Sequence, residues 1–158
     1  MGKDAARDDD LQRLTGRMQR FCAYQERSLQ DVRRKLASLG CSAAMTEQIL
    51  RHLQADGYVN EERYAATVAR GRLHLKGWGK RKIAHMLQRK GIEEAGISAA
   101  LSTLSDEDYL NTLRREATKK LRTLPKEQET ARHKLAAYLM RKGFEPELIW
   151  KEVNHLLP

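Results

Sequence analysis

Apolar residues along the chain fall in short groups separated by charge, and in three places the groups repeat in the same order. The segments DVRRKLASLG, KIAHMLQRKG and KLAAYLMRKG end at Gly40, Gly91 and Gly143, spaced 51 and then 52 residues apart. Four residues before each glycine stand Leu36, Leu87 and Leu139, and eight before stand Val32, Ile83 and Leu135. After it come Cys41, Ile92 and Phe144, then Leu50, Leu101 and Val153, then Leu53, Leu104 and Leu156. Positions four apart share one face of a helix. A glycine just past such a stretch suits the left-handed cap that ends helices. Each unit also opens with an apolar pair four apart: Leu14 with Met18, Tyr64 with Val68, Tyr109 with Leu113. The pattern predicts three short helices per unit, the second ending at the glycine. Val and Ile are sparse and helix formers dominate, so the fold class is all-α.

Polar residues mark the starts. Ser28 with Asp31 reads as a capping box for the second helix of unit one. Asn60 and Ser105 read as N-caps of the first helices of units two and three, each followed by acidic residues that suit a helix N-terminus. The expected organisation is a flexible tail over 1–10, then repeats over 11–59, 60–104 and 105–158. A unit this small buries its apolar face best against its neighbours, so an elongated array is expected, curved by whatever rotation each repeat adds. Unit three departs from the others in a polar stretch from Thr118 to Thr130, containing Pro125, which lengthens a link between helices.

The net charge of +9 is unevenly placed. Residues 1–59 carry a net +2, residues 60–92 a net +7 and residues 93–158 a net of zero. A local excess of this kind attracts polyanions or an acidic protein face. No apolar run is long enough to span a membrane, and nothing at the start reads as a signal peptide. Two cysteines, Cys22 and Cys41, make a disulfide framework improbable, so a cytoplasmic monomer is expected. The five histidines show no metal-ligand spacing with one another or with the cysteines, and no nucleophile motif is present. Gly77-Trp78-Gly79-Lys80 lacks the third glycine of a dinucleotide loop and the Ser or Thr of a phosphate loop. Its plainer reading is a corner: Gly77 ends one helix, Gly79 begins the next, and Trp78 sits between. No enzyme and no cofactor are expected.

The second helix of unit two, taken as Gly79 to Lys90, places Ile83, Ala84, Met86 and Leu87 on one face. Arg81, Lys82, His85 and Arg89 fall opposite, within about 100° of one another at 3.6 residues per turn. In the preceding helix Tyr64, Val68, Gly71 and Leu75 are expected inward, with Arg63, Arg70 and His74 outward. Gly71 inside a helix predicts a close helix contact. Lys80 and Lys90 add charge at the edges of this expected binding surface.

These residues carry a resemblance to the RecX family of bacterial regulatory proteins. The matching segments are Arg27-Ser28-x-x-Asp31-Val32-x-x-Lys35-Leu36 and Gly57-Tyr58-Val59-Asn60-Glu61-x-Arg63-Tyr64-Ala65, then Arg72, Gly77-Trp78-Gly79, Lys82-Ile83, Leu87 and Lys90-Gly91-Ile92. Lys82 stands where the family commonly has arginine. The resemblance implies three three-helix repeats and a non-enzymatic modulator. Such proteins bind the filament of the RecA recombinase on single-stranded DNA and typically reduce its ATPase activity, strand exchange and growth. Several also bind DNA, single- or double-stranded, directly. The basic residues that match the family's segments most closely are Arg63, Arg72, Lys82 and Lys90; with Trp78 of the matching corner, and with Arg70, Lys80, Arg81 and Arg89 from the helix faces above, they make up the expected contact set. The other reading is a helical repeat that binds nucleic acid without a protein partner.

Overall fold

A computed structural model describes residues 2–158, and among them all regular structure is helical. The helices are α1 (Gly2–Tyr24), α2 (Leu29–Ser38), α3 (Ala43–Ala55), α4 (Glu61–Lys76), α5 (Lys80–Arg89), α6 (Glu94–Ser102), α7 (Asp106–Leu121), α8 (Gln128–Arg141) and α9 (Pro146–Leu156). They form three triplets, and in each the second helix ends at a left-handed glycine, with φ of 75° at Gly40, 79° at Gly91 and 97° at Gly143. The repeat register is the core register: Val32, Ile83 and Leu135, and Leu36, Leu87 and Leu139, are all fully buried. Burying each of these side chains contributes roughly 1.5–3 kcal/mol.

The chain divides into two compact units, one ending at Tyr64 and the other running Ala65–Pro158, with the division inside α4. In the first, α1 and α2 both pack on α3. Its core joins Leu14, Met18 and Cys22 of α1 to Val32, Leu36, Ile49, Leu50 and Leu53. The Ser28 hydroxyl accepts from the Asp31 N–H at 3.0 Å while the Asp31 carboxylate accepts from the Ser28 N–H at 3.1 Å. Asn60 caps α4 through the Arg63 N–H at 2.9 Å. In the second unit, α5 packs on α6, and α7, α8 and α9 pack on one another. Ser105 caps α7 through the Asp108 N–H at 3.1 Å.

Three expectations are corrected. Residues 2–10 are not a tail but the first turns of α1, all exposed, because extending a formed helix adds a hydrogen bond per residue without a new nucleus; residue 1 lies outside the described residues. The inward line of α4 is Tyr64, Ala65, Ala69 and Leu73 rather than Tyr64, Val68, Gly71 and Leu75. Leu75 is 85 % exposed. Two small alanines, Ala65 and Ala69, share the buried face with Tyr64 and Leu73, in place of Val68 and Leu75. Gly71 makes no close contact, since a Cβ added there would meet nothing within 4 Å.

Candidate interaction surface on the second repeat

The corner between α4 and α5 is built by its two glycines. Gly77 takes φ of 65°, and a Cβ there would stand 2.2 Å from Oε1 of Glu116. At Gly79 a Cβ would stand 2.3 Å from the carbonyl carbon of Gly143. Gly79 is the N-cap of α5 and has no side chain to satisfy the first N–H groups. The C-terminus of α8 satisfies them instead. The Gly79 N–H donates to the Lys142 carbonyl at 2.7 Å and the Arg81 N–H to the Gly143 carbonyl at 3.0 Å. Two sets of groups orphaned at helix ends thus complete each other. The Gly-Trp-Gly corner is the seam between repeats two and three.

Two polar networks flank the seam. The Lys80 N–H donates to the Tyr109 hydroxyl at 2.9 Å, which donates to the Glu145 carboxylate at 2.8 Å. Burial pushes the Tyr109 phenol far above its ordinary range, and the neighbouring carboxylate adds to the rise. On the other side the buried Glu116 accepts from the Tyr138 hydroxyl at 3.0 Å. Lys142 lies 3.7 Å from the same carboxylate and donates to the Lys76 carbonyl at 2.6 Å, tying the end of α4 to α7 and α8. Nothing in the sequence marks Tyr109, Glu116, Tyr138, Glu145 and Lys142 as a set. Their partners lie dozens of residues away, and no local spacing encodes such pairs.

The structure sorts the expected contact residues into two groups. Arg72 and Lys82 stack on Trp78, with the guanidinium carbon 5.0 Å and the ammonium 4.5 Å from the ring centroid. Trp78 is half-buried between them, holding α4 to α5. Lys80 lies over the Tyr109 ring at 4.8 Å. Arg63 is occupied within the first unit, paired with Glu26 at 2.6 Å and donating to the Gly57 carbonyl at 3.0 Å. Lys90 is half-buried. Arg70, Arg81 and Arg89 are exposed, and no carboxylate pairs with them among the described residues. On α5 the exposed face holds Arg81, His85, Gln88 and Arg89, opposite the buried Ile83 and Leu87. Such a face can meet phosphates or carboxylates. Among the described residues no three His, Cys, Asp or Glu side chains gather as a metal site would need. None of the described helices is long and apolar enough to cross a membrane.

The fold and the seam define a class: an all-α protein of tandem three-helix repeats, the second and third docked helix end to helix end. Family descriptions of this class match here: "RecX, second three-helix domain" over residues 60–101 and "RecX, third three-helix domain" over residues 106–152. The chain is similar to "Regulatory protein RecX" of Prosthecochloris aestuarii, at 27 % identity over 95 % of this chain and 97 % of the relative. The counterpart in Pelodictyon phaeoclathratiforme is 32 % identical over 82 % of this chain and 78 % of its own length. A crystal structure of regulatory protein RecX superposes with a TM-score of 0.83 at 25 % identity, over 95 % of this chain and 75 % of that one. The chain belongs to the RecX family of regulatory proteins.

Proposed function

We propose that this chain is a non-enzymatic, cytoplasmic regulator that binds the RecA filament on single-stranded DNA and lowers its ATPase activity, strand exchange and growth. In that role it acts in recombination and DNA repair, using the exposed cations of the second repeat. Family membership supports the regulatory part. The carrying observation for the surface is that Arg70, Arg81 and Arg89 stay exposed and unpaired while the neighbouring cations are consumed by rings and carbonyls. A repeat protein that touches several filament protomers at once gains from multivalency, so it acts below one copy per protomer.

The test is a titration of RecA ATPase activity on single-stranded DNA, with wild type and with Arg70→Glu/Arg81→Glu/Arg89→Glu. Each exposed charge contact is worth about 0.2–1 kcal/mol, so the triple variant weakens action on the filament by about 3- to 150-fold. The comparison variant is Lys126→Glu/Lys134→Glu/Arg141→Glu on exposed positions of repeat three, expected to act like wild type. Arg132 is left out of it because it holds the C-terminus, donating to the Leu157 carbonyl and to Asn154 Oδ1. A folded second-repeat variant with wild-type potency would refute the surface. Inhibition that appears only in large excess, and tracks affinity for free DNA, would favour direct nucleic-acid binding instead.

A further inference from the structure

The first repeat lies outside the matched three-helix domains, and its longest helix carries an exposed stripe with a chemistry of its own. Arg13, Arg17, Arg20 and Tyr24 recur at intervals of four, three and four along α1. At 100° per residue they fall within about 60° of one another, on a line about 16 Å long. All four are exposed, and Tyr24 is 83 % exposed, the most open aromatic large side chain among the described residues. Arg13 is paired with Asp10 at 3.2 Å, whereas among the described residues no carboxylate pairs with Arg17 or Arg20. At the end of the stripe Arg27 is fixed in place. Its Nε–H donates to the Phe21 carbonyl at 3.1 Å, and its guanidinium lies 3.8 Å from the Phe21 ring centroid and 6.0 Å from that of Tyr24. Lys35 approaches the same Phe21 ring at 5.9 Å.

We infer that this stripe of α1 is a binding site for single-stranded nucleic acid, with phosphates on Arg17 and Arg20 and an unstacked base on the open ring of Tyr24. Cations alone would take any polyanion. An exposed ring at the end of a cation row selects a strand whose bases are free to stack, because every base offers a π-face and a duplex hides it. An acidic protein fits less well. The exposed neighbours of Tyr24 are Arg17, Arg20 and Ala23 on α1 and Gln25 just past its end, and they supply no apolar cluster around the ring. Protein hot spots need such a well-packed, desolvated pocket. Stacking is blind to the sugar, so DNA and RNA share this chemistry. The site shares no residue with the surface on repeat two, and its test contains no RecA, so either reading can fail alone.

The experiment is a fluorescence anisotropy titration of the full chain against labelled oligo-dT, oligo-U and a duplex of equal length, over a range of salt. Wild type is expected to prefer both single strands to the duplex. Tyr24→Ala should weaken single-strand binding by roughly 5- to 150-fold at an unchanged salt slope, while Tyr24→Phe keeps it. Arg17→Glu/Arg20→Glu should flatten the slope of log affinity against log salt by about 1.4, at roughly 0.7 per phosphate. A Tyr24→Ala loss confined to one of the two strands would name that strand as the ligand and leave the site standing. Circular dichroism checks that these exposed variants keep their fold. The inference is overturned if Tyr24→Ala binds oligo-dT and oligo-U within twofold of wild type, or if wild type binds the duplex as tightly as the single strands.

Discussion

Replacing Gly79 by alanine tests the seam between repeats two and three directly. The added Cβ would lie 2.3 Å from the Gly143 carbonyl carbon and 2.4 Å from both its oxygen and the Phe144 nitrogen. All three are backbone atoms, so no side chain can swing aside. The end of α5 must retreat from α8. Overpacking of this kind costs about 1–3 kcal/mol. The retreat lengthens the Gly79 and Arg81 hydrogen bonds to α8, worth about 1 kcal/mol each. Alanine returns about 0.4–1 kcal/mol by restricting the unfolded chain. The sum is a destabilisation of about 3 kcal/mol, which for a chain of this size lowers Tm by roughly 6–12 °C. Gly71→Ala is the internal control, eight residues earlier in the middle of α4. A Cβ there meets nothing within 4 Å, so the same substitution should stabilise by about 0.5–1 kcal/mol. Thermal melts followed by far-ultraviolet circular dichroism measure both. Equal stability of Gly79→Ala and wild type, or a loss at Gly71→Ala, would refute the reasoning.

Two further outcomes follow from buried groups. Tyr109→Phe removes the hydroxyl that links the Lys80 N–H to Glu145 and leaves a half-buried donor without its partner, costing about 1 kcal/mol in denaturant unfolding. Because the folded phenol titrates above its ordinary 10.0, wild-type stability is intact below that pH and lost as the pH rises above it; the Phe variant should lose less over the same interval. Burial also pushes the Cys22 thiol up from 9.0, which lowers its thiolate fraction. Cys22 should therefore react with a thiol reagent more slowly than the half-buried Cys41 in the native protein, and as fast as Cys41 once the chain is unfolded.

The repeat, the caps at Ser28, Asn60 and Ser105, and the glycine ends were legible because each is encoded within a few residues. A cap needs one oxygen and an N–H three residues on, and a helix end needs one residue that accepts positive φ. The face of α4 was not legible. Periodicity ranks residues by apolarity, and there it favoured Val68 and Leu75, whereas Ala65 and Ala69 occupy the fully buried line. Close helix approach rewards small side chains over large ones. Gly71 misled for a related reason: an interior glycine signals close approach only where a neighbour is near, and none is. The charge excess of residues 60–92 was legible as a sum but not as a surface. Which of its cations remain exposed depends on Trp78 and Tyr109, whose positions the fold decides.

The residues that carry the family resemblance are thus distinct from those proposed to bind. Gly77, Gly79, Ile83 and Leu87 carry much of the resemblance, and all four are buried. They set the seam and the core, so substituting them would change the fold before it changed recognition. Trp78 and Lys82 belong to the same group, since the ring receives Arg72 from α4 and Lys82 from α5. Lysine in place of the family's common arginine still suits this role, because an ammonium over an indole face keeps the cation–π attraction and loses only the guanidinium's planar stacking. Arg70, Arg81 and Arg89 constrain neither the core nor the seam through their side chains. On the proposed function, changes at these three positions would retune binding by the second repeat while its core and seam stay in place.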